Sequence, residues 1–180
     1  MQPAIHTICL SMPLHLGGVN CYLLRTGEGF VLIDSGNANQ RQRLEEELLQ
    51  AGCGAGDLRA ILLTHGDFDH SGNAAYLRAK YGARIAMHAA DAPMVEYGNL
   101  YASRKNTSRP IRAIVPLLFH FGRAERFRPD TSLEDGDDLA PYGLEARVVS
   151  IPGHSRGSIG ILTAAGDFFC GDLLDNTRQP

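Results

Sequence analysis

The chain has 180 residues, enough for one domain with a sizeable core and too few for a second full one. At 44% hydrophobic and 21% charged residues it is not a disordered chain, and a net charge of −3 gives no electrostatic footprint for DNA, RNA or an anionic membrane. No run approaches the roughly 20 apolar residues of a membrane-spanning helix, and the N-terminus has neither a basic n-region nor a long apolar h-region, so the chain reads as cytoplasmic.

In chain order, "AIHTICL", "NCYLLRT" and "GFVLIDSG" are short apolar or alternating runs broken by glycine-rich turns, and they read as strands. "NANQRQRLEEELLQAGCG" changes to a helical period, with Leu44, Leu48 and Leu49 on one face and Gly52 as the stop. "LRAILLTH" is a buried strand that delivers His65 at its C-terminal end. "SGNAAYLRAKYGA" reads as a helix with Ala74, Leu77 and Tyr81 at helical spacing, and "RIAMH" as a strand. After residues 91–135, strands return in "LEARVVSIPGH", "GSIGILTAAG" and "DFFCGD". Segment 91–135 carries several arginines and the apolar knot "IVPLLFHF". It fits neither period and is expected to be a largely helical insert over one face of a single domain spanning 1–180. Alternating strands and helices followed by more strands predict an α/β (α+β) domain with helices outside mixed sheets.

The four cysteines form no C-x-x-C pair, which excludes a zinc knuckle or dithiol motif. Cys9, Cys21 and Cys170 lie in apolar runs and read as small buried hydrophobes, and free thiols fit a reducing compartment.

Chemistry concentrates in "LLTHGDFDHSGN", which packs His65, Asp67, Asp69 and His70 into six residues directly after an apolar strand. Imidazoles and carboxylates are the ligands of Zn, Fe and Mn sites. Four such groups beside a core are costly to place without a compensating cation. Two later loops end strands in the same style. "IPGHSRGS" presents His154 between glycines, and "FFCGDLLD" presents Asp172 after Gly171. Alone, each of these would read as an ordinary surface or turn residue. His6, His15, His88 and His120 have no such setting and read as ordinary histidines.

The three motifs, in this order, resemble the metallo-β-lactamase fold superfamily. Its signature is H-x-[HED]-x-D-H after a strand, a His in a "PGH[ST]xGS" loop, and an Asp after a "GD" turn. "NCYLL" followed by "FVLIDSGNA" resembles its N-terminal hairpin. The resemblance implies an αββα sandwich, here C-terminally short, with a dinuclear site at one edge of the two sheets. It implies that His65, Asp67 and His154 hold one metal, that Asp69 and His70 hold a second, and that Asp172 bridges both. Asp34 and Ser155 would be supporting residues. The cofactors implied are one or two divalent ions, zinc first and iron or manganese as alternatives. A metal-bound hydroxide would be the nucleophile, oriented by Asp69 as the catalytic residue.

Two departures qualify the resemblance. Most family members carry His where this chain has Asp67. Three carboxylates against two divalent ions leave a site that one hydroxide neutralises, which should weaken Lewis acidity and favour harder metals. Family members also continue past the bridging Asp to a final His ligand, whereas this sequence ends at Pro180. The expectation is a weaker second metal site and an incomplete second sheet that favours a homodimer.

The function implied is metal-dependent hydrolysis of a small ester-like substrate of thioester or lactone type. The alternatives are a metal-binding but catalytically impaired truncated member, and an iron-centred oxidoreductase of the same fold. No nucleic acid or membrane partner is expected.

Overall fold

The computed structural model describes residues 4–11, 17–99 and 125–174. Strands β1 (Ile5–Ser11), β2 (Gly18–Thr26), β3 (Gly29–Ile33), β4 (Leu58–Leu62), β5 (Arg84–Met87) and β6 (Thr131–Ser132) form one sheet in chain order. The first three are antiparallel, and β3 to β6 run parallel. Strands β7 (Ala146–Ser150), β8 (Ile159–Thr163) and β9 (Phe168–Phe169) form a second, antiparallel sheet. Helices α1 (Arg41–Gln50), α2 (Phe68–Ser71), α3 (Ala74–Tyr81) and α4 (Ala92–Tyr97) complete the α/β fold expected from the sequence. Of segment 91–135, residues 100–124 lie outside the described residues. The knot "IVPLLFHF" falls there, as does His120, and His15 is likewise outside.

Alternation along the central strands builds two cores from one sheet. Leu23, Leu32, Ile61, Leu63, Ile85 and Met87 pack with Leu44 and Leu48 of α1 and with Leu77 and Tyr81 of α3. Their neighbours Leu24, Val31, Ile33, Ala60, Leu62 and Ala86 face the other way and pack with Val148, Ile159, Ile161 and Phe169 of the second sheet. A strand buried on both faces has no polar side, which is why β3, and β4 beyond Arg59, read as apolar runs.

Three local expectations are corrected. Leu49 is 61% exposed and does not share the face of Leu44 and Leu48. One residue past Leu48 turns a further ~100° around the helix, beyond the stripe that meets the sheet. Cys9 is exposed rather than buried, because Ile8 and Leu10 on either side face the core and pleat alternation turns Cys9 outward; Cys170 is only partly buried. Within the ligand run, Phe68–Ser71 forms one helical turn.

The parallel strands position the chemistry. Asp34 follows β3, Thr64 and His65 follow β4, and His88 to Asp91 follow β5, so all lie at the carboxyl edge of the sheet, where open α/β sheets gather their ligand-binding groups. The second sheet adds the β7–β8 connection and the end of β9, and the Ile159 N–H donates to the Thr64 carbonyl at 2.8 Å, fastening the two sheets at this edge.

Close backbone approach holds α2 against the loop after β3. A Cβ on Gly72 would lie 2.5 Å from the Phe68 carbonyl oxygen, 2.7 Å from the Ala38 nitrogen and 2.8 Å from the Gly36 oxygen, all backbone atoms that cannot swing aside. Gly72→Ala is therefore expected to lower stability by about 1–3 kcal/mol in urea denaturation. An unchanged midpoint would mean that this junction yields without cost.

Candidate metal centre

Asp34 adopts the left-handed conformation at φ +58, the one non-glycine residue to do so among the described residues, and it is 1% exposed. The turn aims its carboxylate at the next loop. Oδ1 accepts the Thr64 N–H at 2.8 Å, and Oδ2 accepts the Thr64 hydroxyl at 2.8 Å. Oδ2 also lies 2.8 Å from His70 Nδ1. As the Thr64 proton is committed to Asp34, Thr64 Oγ1 is left to accept from His65 Nδ1, 3.0 Å away. Both histidines thus carry hydrogen on Nδ1, and both present Nε2 to the same space. A carboxylate behind a ligating histidine is the usual way to fix its tautomer and ring orientation.

The Nε2 atoms of His65 and His70 are buried and make no hydrogen bond. Such atoms are expensive to leave unmet unless something else binds there. Around them stand the carboxylates. Asp67 Oδ2 is 3.5 Å from His65 Nε2 and 2.8 Å from His154 Nε2. Asp172 Oδ2 is 3.8 Å from His65 Nε2 and 3.6 Å from His154 Nε2. The other Asp172 oxygen, Oδ1, is 3.1 Å from His70 Nε2, off the line of a hydrogen bond. One ligand atom each from His65, Asp67, His154 and Asp172 lie within 4.8 Å of one another. That donor set, two imidazoles and two carboxylates, suits a divalent transition metal.

Electrostatics point the same way. Burial opposes a charge on His70, yet Asp34, Asp172 and Asp69 together raise its pKa well above the ordinary histidine value. The neighbouring His70 holds the Asp172 carboxyl down at about 2 against the effect of burial, helped by His65 and His154. Burial first, then Asp67 and Asp172, raise the Asp69 carboxyl, while His70 lowers it. A field that keeps a proton on a buried imidazole also attracts a metal cation. Cys21 sits in this field too: burial, then Asp34, Cys9 and Asp69, push its thiol well up, so it stays protonated and is no nucleophile.

The structure therefore brings His65, Asp67, His154 and Asp172 together and sets His70 against the far oxygen of Asp172. Asp69, in the first turn of α2, lies within electrostatic reach of His70, Asp67 and Asp172 but outside the group of four. Asp34 stands behind the histidines. Ser155 is 3% exposed and is bonded to Asp91 and Ser158. Of the histidines read as ordinary, His6 pairs with Glu47 and His88 accepts the Ala90 N–H. The sequence does not single out Thr64 or Asp91. A Thr before the first ligand gives only a weak hint, and an Asp before a helix gives none beyond a cap.

The metallo-β-lactamase superfamily profile matches residues 15–179. The chain belongs to the metallo-β-lactamase superfamily. It is 29% identical over 153 residues to a hydroxyacylglutathione hydrolase of Anaeromyxobacter dehalogenans, covering 85% of this chain and 45% of the relative. It is 30% identical over 156 residues to an acyl-coenzyme A thioesterase of Gallus gallus, covering 78% and 51%. The chain thus spans about half the length of these two superfamily relatives. Among solved structures it resembles a metallo-β-lactamase family protein of Thermus thermophilus. The TM-score is 0.75 at 24% identity, covering 98% of this chain and 61% of that one. It also resembles a subclass B3 metallo-β-lactamase of Bradyrhizobium japonicum, with TM-score 0.69 at 20% identity, covering 99% and 64%. At these identities the structural likenesses speak for the superfamily fold alone. Divalent-metal binding follows from superfamily membership together with the ligand cluster. No helix among the described residues is long and apolar enough to cross a membrane.

The buried wiring behind the histidines can be tested without metal. Asp34→Ala leaves the Thr64 N–H and His70 Nδ1 without their acceptor and keeps a side chain at positive φ. It is expected to cost about 3 kcal/mol in urea denaturation. Asp34→Gly loses the same bonds but relieves the backbone, and should be roughly 1 kcal/mol less damaging. Equal losses for the two variants would show that the backbone at 34 carries no strain.

Proposed function

We propose that this chain is a metal-dependent hydrolase of thioesters. In this reading His65, Asp67 and His154 hold one divalent ion, Asp69 and His70 hold a second, and Asp172 is shared. The observation that carries it is the pair of buried Nε2 atoms that make no hydrogen bond and face carboxylate oxygens on the far side. Zinc is the metal proposed first, since imidazole and carboxylate donors suit it. The carboxylate at position 67 makes iron or manganese the alternatives.

A divalent ion bound there supplies Lewis acidity, acidifying water and polarising a carbonyl oxygen. The chain's own groups do the rest. Asp34 and Thr64 keep the two imidazoles in the tautomer that leaves Nε2 open. Asp69, its carboxyl raised by burial, would orient water and accept its proton. His154 and Asp172, on exposed loops, form the side from which substrate arrives.

The thioester class is favoured over lactones because the relatives named for hydrolytic activity act on a hydroxyacylglutathione and an acyl-coenzyme A. A cytoplasmic setting is supported by the four free cysteines.

The test is reconstitution. Metal-stripped protein is titrated with zinc, iron(II) or manganese(II), and bound metal and turnover are followed with glutathione thioesters, acyl-coenzyme A thioesters and lactones. Thioester turnover that a chelator abolishes is expected. Asp69→Asn should lower kcat by about 100-fold or more while thioester KM changes little. Turnover that survives metal removal, or lactones hydrolysed in preference to every thioester, would refute the proposal.

A further inference from the structure

Asp91 is a fully buried carboxylate that the scheme above does not use. It stands at the head of α4, where an Asp ordinarily caps the helix with its side chain, yet it makes no such bond. Its carboxylate turns instead to two loops. Oδ2 accepts the Gly66 N–H at 3.1 Å and the Ser155 hydroxyl at 2.5 Å, and Oδ1 accepts the Gly157 N–H at 2.9 Å. Gly66 lies between His65 and Asp67, while Ser155 follows His154. One side chain therefore ties together the two loops that bear three of the four clustered ligand atoms.

The join is closely built. A Cβ on Gly157 would lie 2.7 Å from Asp91 Oδ1, so the loop can reach the carboxylate only as glycine. Ser158 Oγ accepts the Ser155 N–H at 3.0 Å and lies 2.8 Å from Ser155 Oγ. That leaves the Ser155 hydroxyl proton for Asp91. All three groups facing Asp91 are donors, so the position requires an acceptor at both oxygens.

We propose that Asp91 is a positioning residue for the metal centre, a buried clamp that sets the distance between the His65–Asp67 loop and the His154 loop. The proposal rests on the metal reading above for its consequence, and on the hydrogen bonds alone for the clamp. Asn is the discriminating substitution because it keeps size and shape. If its NH2 takes the Oδ2 place, it meets the Gly66 N–H; if it takes the Oδ1 place, it meets the Gly157 N–H. In either orientation one backbone donor loses its acceptor and faces another donor.

Two measurements test this. In metal-free protein, amide exchange read by NMR should show Gly66 and Gly157 protected in the wild type. In Asp91→Asn at least one of them should exchange about ten or more times faster, with the Thr64 amide held by Asp34 unchanged. In a chelator competition, zinc affinity should fall between about ten- and a hundredfold in Asp91→Asn. Leu48→Ala, a core truncation under α1, should lose stability and keep its affinity. If Asp91→Asn does not fold, Ser155→Ala removes one of the three bonds and should weaken zinc binding several-fold. Wild-type protection at neither glycine, or zinc affinity unaltered in the folded variants, overturns the proposal. A wild type that binds neither zinc, iron(II) nor manganese(II) refutes the metal reading, and the amide exchange then decides the clamp by itself.

Discussion

A single carboxylate in an unfavourable backbone conformation organises this edge of the molecule. Asp34 is buried and held at positive φ, a conformation that costs a non-glycine residue roughly 1–2 kcal/mol. The surroundings over-determine it. Its own N–H donates to the Leu62 carbonyl at 2.9 Å, and its oxygens collect one backbone and one hydroxyl donor from Thr64 and the ring of His70. Those bonds are possible because β3 and β4 are parallel neighbours that end in register, Ile33 opposite Leu62. Sheet topology thus dictates where the carboxylate stands, and the carboxylate dictates which nitrogen of two histidines is open.

The outward-facing side of the site is assembled from the second sheet. His154 and Asp172 come from the β7–β8 connection and from the turn after β9, so their distance from His65 depends on how the two sheets pack. Ile33, Leu62, Val148, Ile159 and Ile161 supply that packing, and the Ile159–Thr64 backbone bond fixes it beside the ligands. Apolar burial between the sheets is therefore coupled to metal-site geometry.

Legibility in the sequence followed the range of the interactions. The run from His65 to His70 was readable because four ligand-type residues directly after an apolar strand would be costly to bury for any purpose but holding a cation. His154 and Asp172 were readable only through their glycine-bearing loops and their resemblance to a known pattern. The central strands were readable because burial on both faces leaves them apolar past their first residues, Arg59 and Arg84 being exposed near the strand starts. Two things were not read: which way single apolar positions turn, and which partners lie far away in sequence. Cys9 and Leu49 look buried in composition, and only the pleat of β1 and the contact stripe of α1 turn them outward. Asp91 looks like a helix cap, and its real partners lie 25, 64 and 66 residues away. Thr64 looks like the end of a strand, and its hydroxyl matters because Asp34 lies across the sheet.

Asp67 alters the site more than its place in a ligand motif suggests. A histidine there would put a third imidazole beside those of His65 and His154. The carboxylate instead sets an oxygen 2.8 Å from His154 Nε2 and 3.5 Å from His65 Nε2. It could have capped α2, since it stands at the helix head in extended conformation, but no cap bond forms and the side chain is turned to the histidines. Asp67 consequently links the loop after β4 to the His154 loop through its own side chain. A cation bound there would draw on the same Asp67 oxygen and His154 nitrogen that face each other across 2.8 Å. Affinity there falls with acidity, because an imidazole binds a metal only through a nitrogen free of its proton.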